Sequence, residues 1–169
     1  MGSIQDNTNK YKTKKKKRDA LKVVNEIGKI FEKTGSSKIR GSFIPHSWWL
    51  HLTKEGKKGK KVQPSAAIIL ADIVYWYRPK REYDTTGNEL DWDGKVAKRF
   101  KSDMLQRNYE QLEEMYGFTK NQSRDAIDFL VERGYIIKEM RTVGSSSNVM
   151  YMEPIPDKIA KITYRIEDK

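Results

Sequence analysis

Two helix-start signals of the same design, at Asn108 and Thr119, constrain this 169-residue chain more than any other feature. Asn108-Tyr109-Glu110-Gln111 and Thr119-Lys120-Asn121-Gln122 each place a small polar residue three positions before a glutamine. The first side chain accepts a hydrogen bond from a free N–H of the opening turn, and the glutamine reaches back to the capping residue's own N–H. Gly117 and Gly134 stand where each helix would close, a place that favours left-handed backbone. The spacing predicts a short helix with Tyr109, Leu112 and Met115 inward, the turn Gly117-Phe118-Thr119, and a second helix with Ala126, Ile127, Leu130 and Val131 inward.

Two capped helices so joined make a helix-turn-helix. Residues 135–143 and 149–153 then read as strands around the polar, turn-rich stretch 144–148. The expected fold class is mainly α with a small β-hairpin wing, a winged helix-turn-helix occupying 41–155 with an N-terminal accessory helix. Pro154 and Pro156 end the second strand, and 156–169 should hold a short C-terminal helix with Ile159, Ile162 and Ile166 on one side.

Upstream, Ala20, Val23, Val24, Ile27, Ile30 and Phe31 recur at three- and four-residue spacing, which predicts an amphipathic accessory helix over 20–35. Asp19 caps it and Gly35 sits just past its end. Its apolar stripe is narrow, so it must dock on the domain behind it or on a second copy, making a homodimer through 20–34 one expectation. Ser42-Phe43-Ile44 reads as a brief strand, and Pro45 suits the start of a short helix bearing Trp48, Trp49, Leu50 and Leu52. Pro64-Ser65 opens a helix apolar around most of its circumference, the expected central element, which Pro79 ends. Thr86-Gly87-Asn88 suggests a hairpin-like excursion within 80–100.

The formal charge is +11, and two segments carry all of it. Lys10 to Arg18 contributes +7 and Lys54 to Lys61 contributes +4, leaving 22 basic and 22 acidic residues elsewhere. Neither segment has apolar periodicity, so 1–19 is expected to be a basic flexible tail and 54–61 a mobile loop. Such clusters suit phosphates, although a solubilising tail has the same composition. The chain has no cysteine, which excludes disulfides, thiol catalysis and cysteine-based metal centres. The longest apolar run is too short to span a bilayer and the N-terminus carries no apolar signal segment, so a cytoplasmic protein away from membranes is expected.

No enzyme chemistry is legible. His46 and His51 lie about 140° apart around a helix and form no metal-binding pair. The lysine-rich loop lacks P-loop spacing, and turn chemistry explains Asp91-Trp92-Asp93. No catalytic residue, metal or cofactor is expected. The four tryptophans read as core material rather than base-stacking platforms.

Tyr109-Glu-Gln-Leu112, Gly117-Phe-Thr119, Arg124, Ile127, Leu130 and Gly134-Tyr-Ile136 resemble the winged-helix modules of phage and plasmid replication proteins, namely replisome organisers and lambdoid replication initiators. Phe43-Ile-Pro45 with its following helices resembles the start of such initiator domains. The resemblance covers roughly 40–155 and implies double-stranded DNA as ligand, replication proteins as partners, and a role in replication initiation or its regulation for a mobile element. A transcriptional regulator shares the same motif, and a protein–protein adaptor or oligomerisation module is the alternative from another class. On this reading Lys120, Asn121, Gln122 and Arg124 face the major groove from the start of the second helix. Asp125, Asp128 and Glu132 continue that face and would repel phosphates, and Gln122 is equally a capping residue. Lys138, Arg141, Ser146 and Asn148 would supply wing contacts, and Lys14, Lys15, Lys16, Lys17 and Arg18 phosphate contacts from the tail.

Overall fold

In the computed structural model, residues 19–33, 41–80 and 97–164 are described. In chain order they form α1 (Ala20–Lys33), α2 (Trp48–His51), β1 (Thr53–Gly56), β2 (Gly59–Val62), α3 (Pro64–Tyr77), β3 (Leu105–Gln106), α4 (Tyr109–Tyr116), α5 (Lys120–Glu132), β4 (Ile136–Val143), β5 (Ser146–Pro154) and α6 (Pro156–Thr163). Among the described residues this is a mixed α/β fold of six helices with two small antiparallel sheets, β1-β2 and β3-β5-β4.

Because α3 is apolar on almost every side, everything else can pack around it. Ala66, Ala67, Ile69, Leu70, Ala71, Ile73, Val74 and Tyr77 are all buried, and α1, α5 and β5 lie against the helix. The Tyr77 hydroxyl donates to the Met152 carbonyl at 3.0 Å and accepts from the Leu105 N–H at 3.3 Å, tying the end of α3 to both β5 and β3. Opposite, the Trp48 indole donates to the Thr163 hydroxyl at 3.0 Å and fixes α2 on α6.

The Asp19 carboxylate accepts from the Lys22 N–H at 3.2 Å, the expected cap of α1. Val24, Ile27, Ile30 and Phe31 are buried within the chain, with α1 on α3 and α6 and Phe31 meeting Phe43 edge-on at 5.5 Å. The approach is close enough to require Gly28, since a Cβ there would come within 2.7 Å of Pro79. Of the two expected ways to cover this stripe, docking on the domain behind it is the one seen: the chain's own core takes it up.

Other expectations shift in detail. Residues 42–45 form no strand, and Phe43 instead packs edge-on against Phe31. Lysines 54–61 form a hairpin rather than a loop. Met115 is 51% exposed and Val131 36%, while Ser123 and Phe129 take core places on α5. The wing turn is only Gly144-Ser145, with Ser146 already paired to Val143, and a bulge between Arg141 and Val143 puts Asn148 at φ 58°. The excursion around Thr86, Gly35 past the accessory helix, residues 1–18 of the tail and Ile166 lie outside the described residues.

One carboxylate sits inside this core. Asp72, 1% exposed on α3, receives Arg107 in a two-pronged pair, with Nε and Nη2 each 2.9 Å from a carboxylate oxygen. The guanidinium lies 5.0 Å over the Trp76 ring, and the Tyr116 hydroxyl donates to Asp72 Oδ1 at 3.1 Å. Removing one partner of such a pair strands a buried charge, at a cost of about 3–5 kcal/mol. Burial, then the Asp72 charge, push the Tyr116 phenol up to about 12. A raised folded value means stability that is complete below pH ~10, the unfolded phenol's range, and lost as pH climbs through the folded value. Chemical denaturation from pH 9 to 12 should therefore show stability falling, with Tyr116→Phe flattening part of that fall. An identical pH dependence in the two proteins would contradict the assignment.

Candidate nucleic-acid interface

The turn between α4 and α5 is fixed by its own sequence. Asn108 and Gln111 exchange hydrogen bonds at 3.1 and 2.7 Å, and Thr119 and Gln122 do so at 2.9 and 3.2 Å. Gly117, at φ 71°, ends α4 in left-handed backbone that costs a side-chain-bearing residue strain. The first turn of α5 is thus aimed by backbone constraints and needs no ligand to organise it.

Four of the anticipated contact residues lie on that turn. Asn121 and Arg124 are exposed, and among the described residues neither side chain has a hydrogen bond or ion pair. The Lys120 ammonium rests 5.8 Å from the centre of the Tyr109 ring and is also exposed. Gln122 is different. Its side-chain oxygen is occupied by the capping box, so its place at the start of α5 is accounted for by helix entry.

Beyond the first turn the face becomes acidic. At about 100° per residue, Asn121, Asp125, Asp128 and Glu132 fall within a stripe roughly 60° wide. Exposed Glu110, Glu113 and Glu114 on α4 add to it, so α4 and α5 together carry six acids against Lys120 and Arg124. Lys138 donates to Asp128 at 2.8 Å, joining the β4–β5 hairpin to this flank of α5.

Arg141, anticipated as a wing contact, is committed elsewhere. Its guanidinium holds Asp103 at 2.7 and 3.0 Å and Glu139 at 3.0 and 2.9 Å, and stacks 4.4 Å over the Tyr151 ring. The bond to Asp103 raises the arginine further above its ordinary value and lowers the Asp103 carboxyl below the usual carboxylate range. An arginine with all three guanidinium nitrogens so engaged anchors the 103–104 segment to the sheet. Ser146 and Asn148 remain exposed on β5, the latter in the bulge. Lys14, Lys15, Lys16, Lys17 and Arg18 lie outside the described residues.

On the opposite flank of α5 stands the β1–β2 hairpin, whose lysines are the second of the two clusters that suit phosphates, held here in an ordered element rather than the expected mobile loop. Arg133 donates to the Thr53 carbonyl at 2.8 Å, and Lys54 lies 5.4 Å over Phe129, so the hairpin is pinned to the C-terminal half of α5. The signal was present as Gly56-Lys57-Lys58-Gly59, two glycines bracketing a two-residue turn.

Among the described residues no group of three or more His, Cys, Asp or Glu is placed to hold a metal, and no helix is long and apolar enough to cross a membrane. Compared with known proteins, the chain matches no family model, no curated protein and no solved structure. The capping geometry separates structural from contact residues on α5. Thr119→Ala should lower unfolding free energy in urea by about 1 kcal/mol, whereas Asn121→Ala should stay within about 0.5 kcal/mol of the parent. Equal losses would mean that Asn121 has a structural task.

Proposed function

We propose that this chain is a double-stranded DNA-binding protein of the winged-helix type, serving replication initiation or its regulation in a mobile element. The supporting observation is the first turn of α5, held by a capping box and presenting Lys120, Asn121 and Arg124 outward, two of them without partners among the described residues. The surroundings agree with it. A helix, a short strand, two helices across a three-residue turn and a hairpin follow in order, and β3 pairs with β5, the second strand of that hairpin. Arginine pairs with guanine and asparagine with adenine through two hydrogen bonds each in the major groove. The replication role rests on the sequence resemblance alone, and a transcriptional regulator would use the same turn.

A protein–protein adaptor is the second reading, favoured by the acidic surface of α4 and α5, which would repel a duplex laid along it. The two readings part on a mobility-shift titration with a duplex selected from a random library. On the DNA reading, Arg124→Ala costs about 1–3 kcal/mol on the selected duplex and little on a scrambled one. An equal loss on both would place Arg124 among phosphate contacts, and no shift with either duplex would favour the adaptor.

A further inference from the structure

The β1–β2 hairpin carries a charge that its own fold works against. Lys54, Lys57, Lys58, Lys60 and Lys61 are all exposed, and Glu55 is the single acid. The register sets Lys54 directly opposite Lys61, a like-charge pair that destabilises an antiparallel ladder, and Glu55 opposite Lys60, the one favourable charge pair across it. Lys57 and Lys58 occupy the turn itself, between Gly56 and Gly59, the latter at φ 105°. No apolar face compensates, since only Thr53 and Val62 at the base are uncharged non-glycine strand residues. An isolated two-stranded hairpin is marginal in water even without such repulsion. This one is held from outside, by the Gln63 N–H to Leu52 carbonyl bond of 2.8 Å at its base and by Arg133 on the Thr53 carbonyl at 2.8 Å. The protein therefore spends contacts from α5 to hold four unneutralised positive charges in one ordered, projecting element.

We propose that this hairpin is a sequence-independent phosphate-backbone contact for duplex DNA, a second arm beside α5; the proposal rests on the DNA-binding reading. The two hairpins take opposite flanks of the helix: Lys138 of β4 meets Asp128, while Lys54 and Thr53 of β1 meet Phe129 and Arg133. These attachment points differ by up to about 140° around the helix. The first turn of α5 and the Arg133 end are separated by about 18 Å along the axis, a length over which a duplex presents about ten phosphates. The acidic stripe from Asp125 to Glu132 occupies the interval, so a duplex is gripped at the two ends and held off the middle. A phosphate row also relieves the Lys54–Lys61 repulsion, which makes ligand binding and hairpin order mutually supportive.

The test is fluorescence anisotropy of the full chain with a labelled random-sequence duplex, titrated at several salt concentrations. Lys57, Lys58, Lys60 and Lys61 are changed together to Gln, leaving Lys54 over Phe129. Two to four phosphates contacted would lower the slope of log affinity against log salt by roughly 1.8–3.6. Glu55→Gln, which leaves every lysine in place, should bind the random duplex more tightly than the parent. Preference for the selected duplex should survive both changes. A parental slope in the quadruple variant, with circular dichroism confirming that it folds, overturns the hairpin contact while leaving DNA binding intact. Failure of the unmodified chain to bind any duplex overturns the DNA reading itself. Lysine-dependent binding to vesicles containing anionic lipid, without duplex binding, assigns the hairpin to a membrane surface and overturns the proposal as well.

Discussion

The Asp72–Arg107 pair is the constraint on which the position of the candidate site depends. A helix buried on nearly all sides can carry a carboxylate only if that charge is met within the core. Arg107 meets it from the residue immediately before the Asn108 cap, and Tyr116 returns to the same carboxylate from the last turn of α4. Both ends of α4 are thereby pinned to one point on α3. The next three residues are the turn, so the start of α5 is placed by the ion pair and the two capping boxes acting in series. The Arg107 N–H, bonded to the Met150 carbonyl at 3.2 Å, carries the same registration into β5.

Local chemistry made this part of the chain readable. Capping boxes and closing glycines act within four residues, so the bounds of α4 and α5 follow from the sequence without tertiary information. What required the folded chain was the use of each face. Val131 lies about 100° past Leu130 and just misses the core, while Phe129 enters it, with Lys54 of the β1–β2 hairpin and Arg133 at the end of α5 over its ring. Arg141 could not be separated from a ligand-binding arginine by type, since its partner Asp103 is 38 residues distant in the chain. Composition alone marks the Lys54–Lys61 segment as a loop; the order of Gly56 and Gly59 marks the turn, and the contacts that steady the hairpin come from α5.

Charge gives the functional account its shape. The six acids on α4 and α5 leave positive or neutral contact groups at the first turn of α5 and, at the other end, on the hairpin. On the proposed DNA-binding reading, base-edge chemistry and phosphate attraction then fall to different elements. Phosphate contacts position a protein on a duplex and base contacts specify the sequence, so such a division lets affinity and preference vary independently. Of the two ways expected for α1 to cover its stripe, the structure shows docking on the chain's own domain, with Ile27 and Phe31 in the core.

A two-dimensional amide NMR titration of the labelled full chain with unlabelled duplex tests this division most directly. The account predicts shift changes concentrated at Lys120–Arg124 and across Lys54–Lys61, with the amides of Asp125, Asp128 and Glu132 little affected. Shifts centred on the acidic stripe, or spread evenly over α4 and α5 without the hairpin, would contradict it.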